Sequence, residues 1–74
     1  MKLREIIAEI NPTDSLVIVE RMMCQGGDIF AGGCVYRPDT QNLYGMDGDD
    51  YSLEAEYDKW ELGEDCLIVW EKEN

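Results

Sequence analysis

The sequence predicts an α+β domain: one N-terminal amphipathic helix packed on an antiparallel sheet of about four strands, with room to curl into a small, partly open barrel. Three observations carry this. Leu3, Ile6, Ile7 and Ile10 recur at helical spacing near the start. Two strongly apolar runs, Leu16-Val17-Ile18-Val19 and Cys66-Leu67-Ile68-Val69-Trp70, read as buried strands. Between them, residues 51–58 alternate cleanly between apolar or aromatic and polar side chains, as a half-buried strand does. With 74 residues the chain makes one small domain, 1–74, with a thin stability margin.

The helix is expected over about residues 2–10, with Lys2, Arg4, Glu5 and Glu9 on its outer side. It should stop at Asn11-Pro12, because asparagine tolerates a left-handed cap and proline cannot continue the helix. At about two turns it is marginal alone, so its stripe must dock on a sheet. The first strand is expected over 15–22. Cys24-Gln25-Gly26-Gly27-Asp28 then reads as a hairpin turn in which the glycines supply positive φ. The return strand is expected over 29–36, with Gly32-Gly33 marking a bulge, a bend or a close backbone approach. Residues 37–50 are the least regular: Arg37-Pro38-Asp39-Thr40 starts a turn, and Asn42 to Met46 has room for one helical turn.

The strand expected over 51–58 points Tyr51, Leu53, Ala55 and Tyr57 inward and Ser52, Glu54, Glu56 and Asp58 outward. Its alternation slips at Lys59, which reads as a bulge or the start of a connection. Gly63-Glu64-Asp65 makes a turn, and the last strand is expected over 66–71. The helix stripe should pack on Leu16, Ile18, Phe30, Val35, Leu53, Ile68 and Trp70, each contributing about 1.5–3 kcal/mol before entropy is counted.

Charge is the main pointer to function. The chain carries 17 Asp and Glu against 6 Lys and Arg, a net charge of -11. Nine of the carboxylates fall between Asp47 and Asp65, which hold a single lysine, Lys59. Such a balance opposes direct contact with nucleic acid or an anionic membrane, and no apolar run approaches the length of a membrane helix. The expected location is the cytoplasm. Cys24, Cys34 and Cys66 are odd in number and lie in or beside apolar runs, so they read as reduced thiols.

A metal or cofactor is not expected. There is no histidine and no C-x-x-C pair for zinc. Asp47-Gly48-Asp49-Asp50 superficially resembles a calcium loop, but counting from Asp47 puts Tyr51 at position five and Ser52 at six, and the spacing fails. Catalysis has little support either: no histidine base, nucleophile motif or phosphate-binding glycine loop is present.

The opening Met1-Lys2-Leu3-Arg4-Glu5-Ile6-Ile7, the strand Leu16-Val17-Ile18-Val19, the glycine-containing return strand and the closing Leu67-Ile68-Val69-Trp70 together resemble the order of elements in small acidic proteins of unknown function from Gram-positive bacteria and their phages. The resemblance implies an accessory, host-interaction or mobile-element role and carries no catalytic residues.

The expectation is therefore a non-enzymatic interaction protein, a monomer or weak homodimer, whose acidic C-terminal half meets a basic protein surface. Asp47, Asp49, Asp50, Glu54, Glu56, Asp58 and Glu61 would form that surface, with Trp60 as its aromatic contact. A nucleic-acid mimic or phage-type inhibitor is the sharper alternative. Glu54, Glu56 and Asp58 on one strand would recur every ~6.6 Å, against a duplex charge every ~1.7 Å, so a mimic would need the flanking acids as well. A small enzyme or metal-dependent factor is the alternative from a different class.

Overall fold

The computed structural model describes residues 1–24, 26–45 and 51–71. It shows a helix α1 (Leu3–Ile10) and five strands: β1 (Leu16–Cys24), β2 (Gly27–Arg37), β3 (Asn42–Gly45), β4 (Lys59–Leu62) and β5 (Cys66–Glu71). The strands form one open sheet in the order β3-β2-β1-β5-β4. The α+β class is as the sequence predicts. The sheet differs from expectation in three ways: it has five strands, it is not closed into a barrel, and it is mixed, because β1 and β5 run parallel at its centre.

Helix α1 ends where expected. Asn11 adopts the left-handed conformation (φ 50°, ψ 60°) and its N–H donates to the Ile7 carbonyl at 2.8 Å. The β1–β2 hairpin also forms as expected, with Gly26 and Gly27 at φ 97° and 131°, a region closed to most side chains. A bulge interrupts the β1–β2 register: Glu20 pairs with Gly32 and Arg21 with Phe30, which leaves Ala31 between them. The glycine pair thus sits beside a bulge, one of the readings the sequence allows.

The expected strand over 51–58 is overturned. These residues make no sheet strand; they contribute one isolated bridge, between Lys2 and Glu56. Their carbonyls instead serve the start of α1. Leu3 N–H donates to Ala55 O at 2.8 Å, and Arg4 N–H to Leu53 O at 2.9 Å. Both are helix N-terminal donors with no partner inside the helix. The Lys2 N–H is taken by the Glu5 carboxylate at 2.8 Å. The inward and outward alternation nevertheless holds: Tyr57 is buried, Tyr51, Leu53 and Ala55 are half-buried, and Ser52, Glu54, Glu56 and Asp58 are exposed. Lys59, where the pattern slips, begins β4. Of Asn42 to Met46, read as room for a helical turn, Asn42–Gly45 form β3 instead and pair antiparallel with β2, and Met46 lies outside the described residues.

The core lies between α1 and one face of the sheet. It comprises Leu3, Ile6, Ile7, Leu16, Ile18, Cys34, Tyr36, Tyr57, Leu67 and Val69, with Ile10, Leu43, Leu53 and Trp60 packed at its margin. Several expected core residues are elsewhere. Phe30 is 61% exposed. Val35, Ile68 and Trp70 pair with Val17, Val19 and Arg21 respectively, which puts them on the sheet face opposite α1.

Candidate interaction surface

The predicted surface residues separate into three groups. Asp47, Asp49 and Asp50 lie outside the described residues. Glu54 and Glu56 sit against the N-terminus of α1. Glu54 pairs with Lys2 at 3.1 Å and also with Arg4, and Glu56 lies 3.4 Å from the Met1 amino group. The hydrogen bond from Lys2, with the charges of Arg4 and Lys2, holds the Glu54 carboxyl below its usual range. These pairs are exposed and contribute little to stability. They do make Glu54 a helix-anchoring residue more than a displayed charge.

The third group is the β4 edge. Asp58 is exposed just before β4, where its N–H donates to the Trp70 carbonyl at 2.9 Å. Glu61 is exposed on β4, and Glu64 and Asp65 are exposed in the β4–β5 turn. Trp60 pairs with Val69, so it leans to the core side and is half-buried. The structure thus brings Asp58 and Glu61 together with Glu64 and Asp65 along one sheet edge. It does not join them to Glu54 and Glu56 in a single strand face.

The bases explain what this edge is left with. Lys2 and Arg4 pair with Glu54, and Arg37 lies 3.4 Å from Asp39. Arg21 donates to the Asp28 carbonyl at 3.3 Å. The Lys59 ammonium sits 4.4 Å from the Trp70 ring centre. Every described base therefore has an internal partner. Asp58, Glu61, Glu64 and Asp65 have no ion pair among the described residues.

Two further clusters are absent from the sequence reading. On the helix side, the Tyr57 hydroxyl donates to Glu20 Oε2 at 2.7 Å. Burial, then the Glu20 bond, pushes the Tyr57 phenol far above its ordinary value. Burial, with Glu20 close by, raises the Glu71 carboxyl and pushes the Cys34 thiol up to about 11. On the opposite face, Trp70 Nε1 donates to Asp28 Oδ2 at 2.8 Å. The spacing of Glu20 to Tyr57 and of Asp28 to Trp70 in the chain gives no local signal for either contact.

The first cluster has a measurable consequence. Cys34 and Tyr57 are acids whose neutral forms the fold favours, so the native chain keeps protons that the unfolded chain releases. Their contribution to stability should be full below pH 9, fall as pH rises from 9 to about 11 through Cys34, and keep falling above pH 10 through Tyr57. The Cys34 part is on the order of 2 kcal/mol. Urea titrations across this range should show the fall, and Cys34→Ala should flatten its first part. An unchanged profile in that variant would remove Cys34 from the account.

Among the described residues, no group of three potential ligands is placed to hold a metal ion, and no helix is long and apolar enough to cross a membrane. The most developed depression, about 440 Å³, is an open groove between α1 and β2 whose one charged lining residue, Arg4, is tied to Glu54. Comparison of the chain with protein-family models, with curated proteins and with solved structures finds no match.

Proposed function

We propose that this chain is a small non-enzymatic interaction protein that presents the acidic β4 edge to a basic protein surface. The observation that carries this reading is where the bases go: Lys2, Arg4 and Arg37 are in ion pairs elsewhere and Lys59, on β4 itself, is turned to the Trp70 ring, which leaves Asp58, Glu61, Glu64 and Asp65 without an ion pair among the described residues. Like charges on one edge cost the isolated chain repulsion, and an approaching cationic surface relieves it. Trp60, half-buried beside them, offers aromatic area at the margin of the same edge. The resemblance in order of elements to small acidic proteins of Gram-positive bacteria and their phages implies an accessory role of the same kind.

The test is capture of partners by the immobilised chain and by the variant Asp58→Asn/Glu61→Gln/Glu64→Gln/Asp65→Asn. Partners of the parent should be basic. Their affinity should fall about tenfold or more between low and physiological salt, as screened long-range attraction does. The variant should lose both the binding and its salt slope. Salt-insensitive capture, or capture retained by the variant, would refute the proposal. Added duplex DNA or RNA separates the two forms of the reading: competition marks the partner's surface as nucleic-acid-binding and the chain as a mimic, whereas simultaneous binding excludes mimicry.

A further inference from the structure

We infer that the sheet face opposite α1 is a homodimer interface, on which a second copy of this chain packs face to face. The registers place Val17 and Val19 of β1, Val35 of β2, and Cys66 and Ile68 of β5 on this face, all half-buried, with exposed Phe30 at its margin. α1 covers only the other side. A parallel pair such as β1–β5 is normally covered on both faces, and its strands then read as continuous apolar runs. Leu16-Val17-Ile18-Val19 and Cys66-Leu67-Ile68-Val69 are such runs. Half of each meets α1, and the other half faces outward.

Size and charge favour a second copy as the cover. Five strands at ~4.8 Å spacing, with about seven paired rows, give a face of roughly 24 by 23 Å. That is about 550 Å² in projection and more with side-chain relief, close to the ~600–1,000 Å² per partner of a standard interface. By register the face carries three bases, Arg21, Arg37 and Lys59, and two acids, Asp28 and Glu61, so it is near neutral on a chain of net charge -11. Each flank carries both signs: Asp28 and Arg37 lie on β2, and Lys59 and Glu61 on β4. Lys59 is level with Arg21 and Asp28 with Met23, so a two-fold axis along β1, which lays the β4 side of one copy over the β2–β3 side of the other, brings these opposite charges near each other twice. Edge-to-edge pairing is the weaker route, because β3 and β4 have four residues each and β4 is flanked by acids.

Sedimentation of the full chain over a concentration series tests this. The expected species has twice the 8.5 kDa of one chain. Its melting temperature should rise with protein concentration, and its dissociation constant should fall with added salt as the net repulsion is screened. Val19→Lys and Ile68→Lys should each give folded monomers with the parent's far-UV signal. In a Cys24→Ser background, Cys66 should label more slowly as concentration rises, a readout that stands even if a lysine variant fails to fold. A wild-type chain that stays monomeric with concentration-independent Cys66 labelling would overturn the inference, as would a dimer that folded Val19→Lys and Ile68→Lys leave intact. A monomer whose capture of another protein is lost in Val19→Lys would also overturn it, by giving the face to a different partner. The salt response is opposite to that of binding at the acidic edge, so failure of either proposal is distinguishable from failure of the other.

Discussion

Replacing Ile6 by alanine should cost about 2–5 kcal/mol, the range for truncating a large aliphatic side chain in a packed core. Ile6 is fully buried, and with Leu3 and Ile7 it makes up the buried stripe of an eight-residue helix. A helix that short does not persist in water by itself. Losing its central side chain therefore weakens the docking of the whole element, and with it the 51–58 segment whose carbonyls accept the Leu3 and Arg4 N–H groups. In a domain of this size each kcal/mol lowers the melting temperature by roughly 4–8 °C, so a drop of at least ~8 °C is expected. Urea denaturation followed by far-UV circular dichroism measures it, with Glu9→Ala, on the exposed side of α1, as the control that should change little. A loss under about 1 kcal/mol for Ile6→Ala would mean that α1 is not held by this side chain.

Trp70→Ala should be as damaging, about 3–5 kcal/mol, although Trp70 lies outside the α1 core. The indole is 7% exposed on the opposite face, with its Nε1–H on Asp28 Oδ2 and the Lys59 ammonium over its ring. Trp70→Phe separates the contributions. It keeps most of the ring burial and loses the charge-assisted hydrogen bond, so about 1–2 kcal/mol is expected. Lys59→Met should cost less again, about 0.5–1 kcal/mol, as an exposed cation–π contact does. Because Trp70 shares a face with Val19, the measurements belong at two protein concentrations. A folding effect is the same at both, whereas an effect through dimerisation grows with concentration. Equal stability for Trp70→Phe and Trp70→Ala would mean that ring burial contributes nothing and would refute the packing account.

The comparison of sequence with structure turns on what a hydrophobic pattern reports. The 3.6-residue stripe of Leu3, Ile6 and Ile7, the asparagine stop, the glycine hairpin and the two long apolar runs were legible because each is a local signal, set by residues within a few positions of one another. The 51–58 alternation was equally legible as burial, since Tyr57 is in and Glu54, Glu56 and Asp58 are out. It was misleading as pairing. A period of two says which side faces the core, and it does not say whether the backbone bonds to a strand or to the free donors of a helix end. β3 and β4, at four residues each, are too short to carry a pattern of their own.

The acidic surface followed the same division. The excess of carboxylates was plain in the sequence, and the exposure of Asp58 and Glu61 followed from their chemistry. Which carboxylates remain uncompensated was not, because that depends on where Lys2, Arg4, Arg21, Arg37 and Lys59 are brought.

The class, the helix and its stop, the hairpin, the inward and outward alternation, and the sign of the surface follow from the residues in chain order. Those depend on local propensity, side-chain periodicity and summed charge. The tertiary structure added that β1 and β5 are parallel neighbours, that 51–58 caps the helix in place of joining the sheet, and that Val17, Val19, Val35 and Ile68 lie half-buried on the face opposite α1. These depend on which distant backbone groups satisfy one another, and residues more than 30 positions apart leave no local trace of that choice.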